Sequence, residues 1–186
     1  MSPKTILCVL LSIALLNAAS AATEKGVNVE PEISETIFSE IMHTETTTDL
    51  EDWEITLTLS DDAINNNTTF ELTTQMCNND GVCLPPTVAE VSTTDGKMFT
   101  SAVTTIEDHS YVNWRVKATY PDDNNSTEKF PSKGFYKTWS DCWYSDGEWG
   151  GDNCPDDKSS DESFLPALGM FSTIGAIIIA ATTRSE

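Results

Sequence analysis

The sequence predicts an all-β domain, a sandwich of about seven short strands displayed outside the cell. Three observations predict it. Between residues 50 and 140 apolar and polar residues alternate with period two in several short runs, and no segment there has a helical period. Turn signals rich in Asn, Asp, Gly and Pro separate the runs at regular intervals. An export signal precedes them, so the cysteines that remain sit in an oxidising compartment, where an even number reads as disulfides.

The chain opens on MSPKTILCVLLSIALLNAASAA. Lys4, the apolar run Ile6 to Leu16 and the small residues Ala19-Ser20-Ala21 have the order of a secretory signal, assigned to residues 1–21. Residues 22–50 are acidic and Thr-rich and read as a linker or an irregular first strand. The domain proper is assigned to residues 51–155. Its first strand alternates Trp53, Ile55, Leu57 and Leu59 with Glu54, Thr56 and Thr58. Asp61 to Asn67 is a turn, and Phe70, Leu72 and Met76 continue with one apolar face. "CNNDGVC" is a hairpin tip between two cysteines. Pro85-Pro86 delays the next strand, Thr87 to Ser92, and "TTDG" at 93–96 is a further hairpin signal. Met98 to Ile106 follows. Tyr111 to Tyr120 is the clearest strand, with Val112, Trp114, Val116, Ala118 and Tyr120 on one side. Glu128 to Phe130 and Gly134 to Trp139 are the last strands. Seven strands at this spacing predict a sandwich of immunoglobulin- or fibronectin-like type, with a small barrel as the alternative. The Cys…Trp…Cys core pattern of antibody domains is absent, and Trp114 is expected to take the core position.

An acidic spacer occupies 156–163. Phe164 to Ala181 carries no charge, and as a helix it spans ~27 Å, near the lower limit for a bilayer. Residues 164–182 therefore read as a transmembrane or sorting segment and 183–186 as a cytoplasmic tail, with Arg184 on the inner side. The expected location is the cell membrane, with the bulk of the chain outside and the C-terminal helix as the membrane partner.

Charge and cysteines narrow the function. Once Lys4 leaves with the signal, nine bases face thirty acids, a net charge of −21. Such a surface repels nucleic acid and anionic lipid. Cys77, Cys83, Cys142 and Cys154 allow three pairings, and closeness in sequence favours Cys77–Cys83 and Cys142–Cys154. Their spacings are not those of a zinc site. Asn66, Asn67, Asn124 and Asn125 each begin an N-x-[ST] sequon in an Asn-rich turn. The two histidines, His43 and His109, belong to no catalytic motif. His109, in the turn "EDHSY", reads as a solvated loop residue. No enzymatic activity is expected.

The segment "KTWSDCWYSDGEWGGDNCPDD" at 137–157 concentrates the features that bear on binding. The favoured reading is a closure of the domain: Cys142–Cys154 staples the loop, Trp139 points into the core, and Trp143 or Trp149 covers its rim. A second reading makes Trp139, Trp143, Tyr144 and Trp149 a stacking surface for carbohydrate. A third makes Asp146, Glu148, Asp152 and Asp156 donors to calcium, which wants six or more oxygens. Asp146-Gly147 and Asp152-Asn153-Cys154-Pro155 resemble part of a thrombospondin type 3 repeat, and that likeness implies the calcium reading. Cys142 and Tyr144 stand where the repeat carries acids. No other cofactor is expected.

Signal, acidic linker, β domain, acidic spacer and apolar tail together resemble the small cell-surface proteins of archaea that end in a C-terminal sorting tail. Leu165-Pro166-Ala167-Leu168-Gly169 is also similar to the sortase signal of bacterial wall proteins, with Leu168 in place of threonine. The resemblance implies a membrane-anchored extracellular protein with a structural or recognition role. Its partners would be surface glycans or other surface proteins. The alternative is a carbohydrate- or calcium-binding surface module centred on residues 139–157.

Overall fold

The computed structural model describes residues 24–122 and 124–155. The expected signal, spacer and apolar tail lie outside the described residues, as does Asp156. Among the described residues, no helix is long and apolar enough to cross a membrane.

Two antiparallel sheets face each other across one core. The first contains β1 (Phe38–His43), β2 (Asp52–Leu59), β5 (Ser92–Thr93) and β6 (Met98–Thr104), in the order β1-β2-β6-β5. The second contains β3 (Thr69–Asn78), β4 (Thr87–Val88), β7 (His109–Thr119), β8 (Thr127–Phe130) and β9 (Tyr136–Trp139). Its order is β4-β3-β7, with β8 and β9 sharing the far edge of β7. A separate hairpin, β10 (Trp143–Ser145) and β11 (Glu148–Gly150), follows β9. The all-β sandwich is therefore present.

Alternation builds the core. In β2 the buried apolar residues are Trp53, Ile55, Leu57 and Leu59, and in β7 Val112, Trp114, Val116 and Ala118. A strand turns successive side chains to opposite faces, so each strand presents one apolar row inward. Trp53 of one sheet meets Trp114 of the other with ring centroids 6.0 Å apart, and Tyr136 adds a third ring at 4.6 Å. Phe38, Phe70 and Phe99 form a second edge-on chain, with spacings of 5.2 and 5.0 Å. The Trp53 indole N–H, buried between the sheets, donates to Thr138 Oγ1 at 3.2 Å.

Two details differ from the sequence reading, and a third follows one of its two alternatives, the irregular first strand within residues 22–50. Asp61–Asn65 is one turn of helix, α1, because Ser60 Oγ accepts the Ala63 N–H at 3.2 Å and Asp61 and Asp62 occupy its first turn. The strand expected over Thr87 to Ser92 divides into β4 on one sheet and β5 on the other, since the chain crosses the open side between them with Ala89 and Val91 packed on the core. Residues 24–50, read as a linker or irregular first strand, supply the edge strand β1. They also run beside β9, where Val29 exchanges backbone hydrogen bonds with Lys137 and Thr47 pairs with Ser140.

Candidate functional site

Strand register brings the loops of interest to one end. Cys77 faces Tyr111 and Asn78 faces His109, so the first cysteine loop, the turn before β7 and the end of β9 gather there. Thr69 faces Thr119 at the opposite end. The turns carrying Asn66, Asn67, Asn124 and Asn125 lie at that opposite end, and all four asparagines are exposed. Eleven residues of β7 separate the two ends by ~35 Å.

The disulfides pair locally, Cys77 with Cys83 and Cys142 with Cys154. The two loops nevertheless meet, through buried Asn79. Its backbone N–H donates to the Asp108 carbonyl and its amide N–H to Asp108 Oδ1, at 2.9 and 3.0 Å. Its Oδ1 accepts from Ser110 Oγ at 2.6 Å and from the Tyr144 N–H at 2.7 Å. One side chain thus ties the first cysteine loop, the β6–β7 turn and the β10–β11 hairpin.

Trp139 does not point into the core. Thr138 is the inward residue of β9, and Trp139 lies beside its register partner Tyr111 on the outer face of the sheet, centroids 5.0 Å apart. It is still only 6 % exposed, because the N-terminal segment covers it. Its indole N–H donates to the Val27 carbonyl at 2.8 Å and its backbone N–H to Asn28 Oδ1 at 2.9 Å. Lys137 lies over the rings of Tyr111 and Trp139, 3.8 and 4.8 Å from their centroids, and burial holds its ammonium below the ordinary lysine value.

Trp143 packs on Trp139 at 4.9 Å. A Cβ at Gly26 or Gly150 would fall 2.6 or 2.3 Å from its ring, so only glycine lets both backbones approach the indole. The hairpin turns at Asp146-Gly147, both with positive φ, the geometry of a type I′ turn. Tyr144 and Trp149 pair across the hairpin at 5.0 Å, on the face opposite Trp143. The four aromatics therefore form two pairs and no single platform. Trp139 and Trp143 line a groove of about 1130 Å³ between the N-terminal segment, the end of β1 and the Cys142–Cys154 loop. Asn28, Glu30, His43, Asp141 and Asp152 add polar groups to it. Tyr144 and Asp146 line a smaller cleft of about 240 Å³.

The acids read as calcium donors part company. Asp146 and Glu148 converge on Lys25 Nζ, at 3.8 and 3.1 Å, so a cation already stands between them. Asp152 lies in the groove. Among the described residues, no three His, Cys, Asp or Glu side chains are grouped to hold a metal.

His109 is not a solvated loop residue. It begins β7 with 0 % exposure. Its Nδ1 lies 2.5 Å from Asp49 Oδ1 and its Nε2 2.7 Å from Thr47 Oγ1. The order carboxylate, imidazole, hydroxyl is that of a nucleophilic triad. Thr47 is only 1 % exposed, and its hydroxyl donates to the Trp139 carbonyl at 3.3 Å, so no substrate reaches it. The relay is structural. His43, unassigned by its sequence context, lies at the groove. Its Nδ1 donates to the Thr44 carbonyl and its Nε2 meets Glu30 Oε2, both at 2.8 Å, while its ring lies 5.5 Å from Trp114.

Comparison with protein-family models and with curated proteins returned no match.

Proposed function

We propose that this chain is a cell-surface recognition module built on an immunoglobulin-type sandwich, with the groove beside Trp139 and Trp143 as its binding site. The strand orders β1-β2-β6-β5 and β4-β3-β7-β9 correspond to the ABED and C′CFG sheets of that fold type. Trp53 on β2 and Trp114 on β7 stand on the strands equivalent to B and F, which antibody domains join by a disulfide. Export and anchoring rest on the apolar ends of the chain, and the two disulfides support an oxidising compartment.

The observation that carries the site is the groove itself. It combines an indole wall with an amide and several carboxylates at one end of a rigid scaffold, the composition suited to a polyhydroxylated ligand. The half-buried indole of Trp143 takes the apolar face of a sugar ring, backed by the covered Trp139, while Asn28, Asp141 and Asp152 hydrogen-bond its hydroxyls. The calcium alternative has less support, because Lys25 occupies the space between Asp146 and Glu148.

The test is a glycan array followed by calorimetry on the full chain. A neutral or amino sugar should give a signal that falls about tenfold in Asp152→Asn, the loss of one good hydrogen bond. Asp152 is exposed, so this change leaves the fold intact. Absence of any glycan signal, or binding that Asp152→Asn and Trp143→Ala both leave unchanged, overturns the assignment.

A further inference from the structure

The bases of this acidic protein are not scattered. Register and alternation place Arg115, Lys117, Lys129 and Lys137 on the outer face of the β3–β7 sheet, with Glu71 the one acid among the strand residues of that face. The outer face of the opposite sheet carries Glu40, Asp52 and Glu54 on its strands and no base. One face is net positive by three charges and the other net negative by three, on a chain of net charge −20.

Each face also holds charges that the monomer leaves unpaired. Lys117 and Lys129 are directly opposite on adjacent strands, an unfavourable like-charge pair that Glu71, bound to Lys117, offsets only in part. Among the described residues, Lys129, Glu40 and Glu54 make no ion pair. Exposed apolar side chains accompany the charges. Met42 and Met98, 51 and 45 % exposed, stand on the acidic face, and Val88, 63 % exposed, on the basic one.

We propose that the two outer faces dock on each other between copies of this chain, the basic face of one molecule on the acidic face of the next, head to tail. A polyanionic polymer would meet the same bases, but only a second copy offers an equal and opposite sheet face with apolar anchors of its own. The contact is heterologous, so it propagates into rows and does not stop at a dimer. Four strands at ~4.8 Å spacing by seven residues give ~450 Å² per partner, below the ~800 Å² of a standard interface. The contact is therefore weak in dilute solution and is strengthened when copies share a surface. Overall like charge repels the molecules at low salt, while face pairs within a few ångströms are screened less than charges beyond the ~10 Å Debye length at 0.1 M. Association should thus rise from low to moderate ionic strength and fall again in strong salt.

The test is sedimentation of the full chain in mild detergent over roughly 10 to 500 µM, the range in which so small an interface becomes occupied. The expected result is concentration-dependent growth beyond the dimer. Lys117→Glu/Lys129→Glu and Glu40→Lys/Glu54→Lys should each abolish that growth alone. An equimolar mixture should restore it, because every junction then regains opposite charges. Zero-length cross-linking of the unaltered chain supplies a readout independent of the variants, with intermolecular links expected from Lys117 or Lys129 to Glu40, Asp52 or Glu54. An unaltered chain that stays monomeric throughout, variants that associate normally, a mixture that does not recover, or links confined to other residues would each overturn the proposal.

Discussion

At the scale of single residues, polar side chains organise the end of the fold that holds the groove. Asn79 satisfies four hydrogen bonds that link three loops, and it is only 6 % exposed. Replacing it with Ala removes the acceptor of the Tyr144 N–H and the side-chain bond to Asp108, while the Ser110 hydroxyl keeps the Tyr144 carbonyl at 3.2 Å. Three side-chain hydrogen bonds at about 1 kcal/mol each are lost, so Asn79→Ala should lose about 2–4 kcal/mol in chemical denaturation. A loss below about 0.5 kcal/mol would show that the loops hold together without it. The sequence marked Asn79 only as part of a turn, because its partners lie 29, 31 and 65 residues away. The same limit hid the Asp49–His109 pair, separated by 60 residues. Trp139 shows a different limit. Tyr136 and Trp139 are both aromatic and three apart, so no two-residue period contains both, and the register with β7 decides which faces inward.

At the scale of elements, β2 and β7 were legible because both bury one apolar row and leave the alternate row polar. The aromatic hairpin was legible as a stapled loop and illegible as geometry, since a disulfide fixes closure and not which face its tryptophans present. The Cys142–Cys154 bond closes a 12-residue separation, worth ~3 kcal/mol in the chain-entropy model. That stabilisation belongs to one wall of the groove. Cys142→Ser/Cys154→Ser should release Trp143 from Gly26 and Gly150 while the two-sheet core persists. Amide exchange should accelerate at residues 142–153 and remain slow at Trp53 and Trp114. Uniformly faster exchange across β2 and β7 would mean instead that the staple supports the whole fold. Trp53→Ala is the complementary case. It empties a fully buried site that also pairs with Thr138, and the expected cost is about 3–5 kcal/mol with global loss of structure.

At the scale of the whole molecule, the ends divide their roles. The groove, both disulfides and Pro155 lie at one end, and the sequon turns at the other. The anchor we propose after Pro155 puts the groove on the membrane side and the four candidate sequons on the far tip. The same molecule-wide view governs alkaline stability. Burial raises the phenols of Tyr111, Tyr120 and Tyr136 above their ordinary 10.0, and Tyr120, which also donates to Glu128 at 2.9 Å, is pushed up to about 12. A phenol with a raised folded value keeps its proton longer in the folded state than in the unfolded chain. Its stabilisation is fully present below pH 10 and is lost as pH rises through the folded value. Lys137 has the opposite sign. Its folded value lies below 10.5, so the cost of burying its charge is relieved as pH approaches that value. Three groups outweigh one, so stability should decline from about pH 10 to 12. Tyr120→Phe should make that decline shallower by the proton it no longer holds. Tyrosinate absorbance of the folded protein supplies the check: three of the four tyrosines should ionise later than in the denatured chain. Folded and denatured titrations that coincide would remove the basis for the decline.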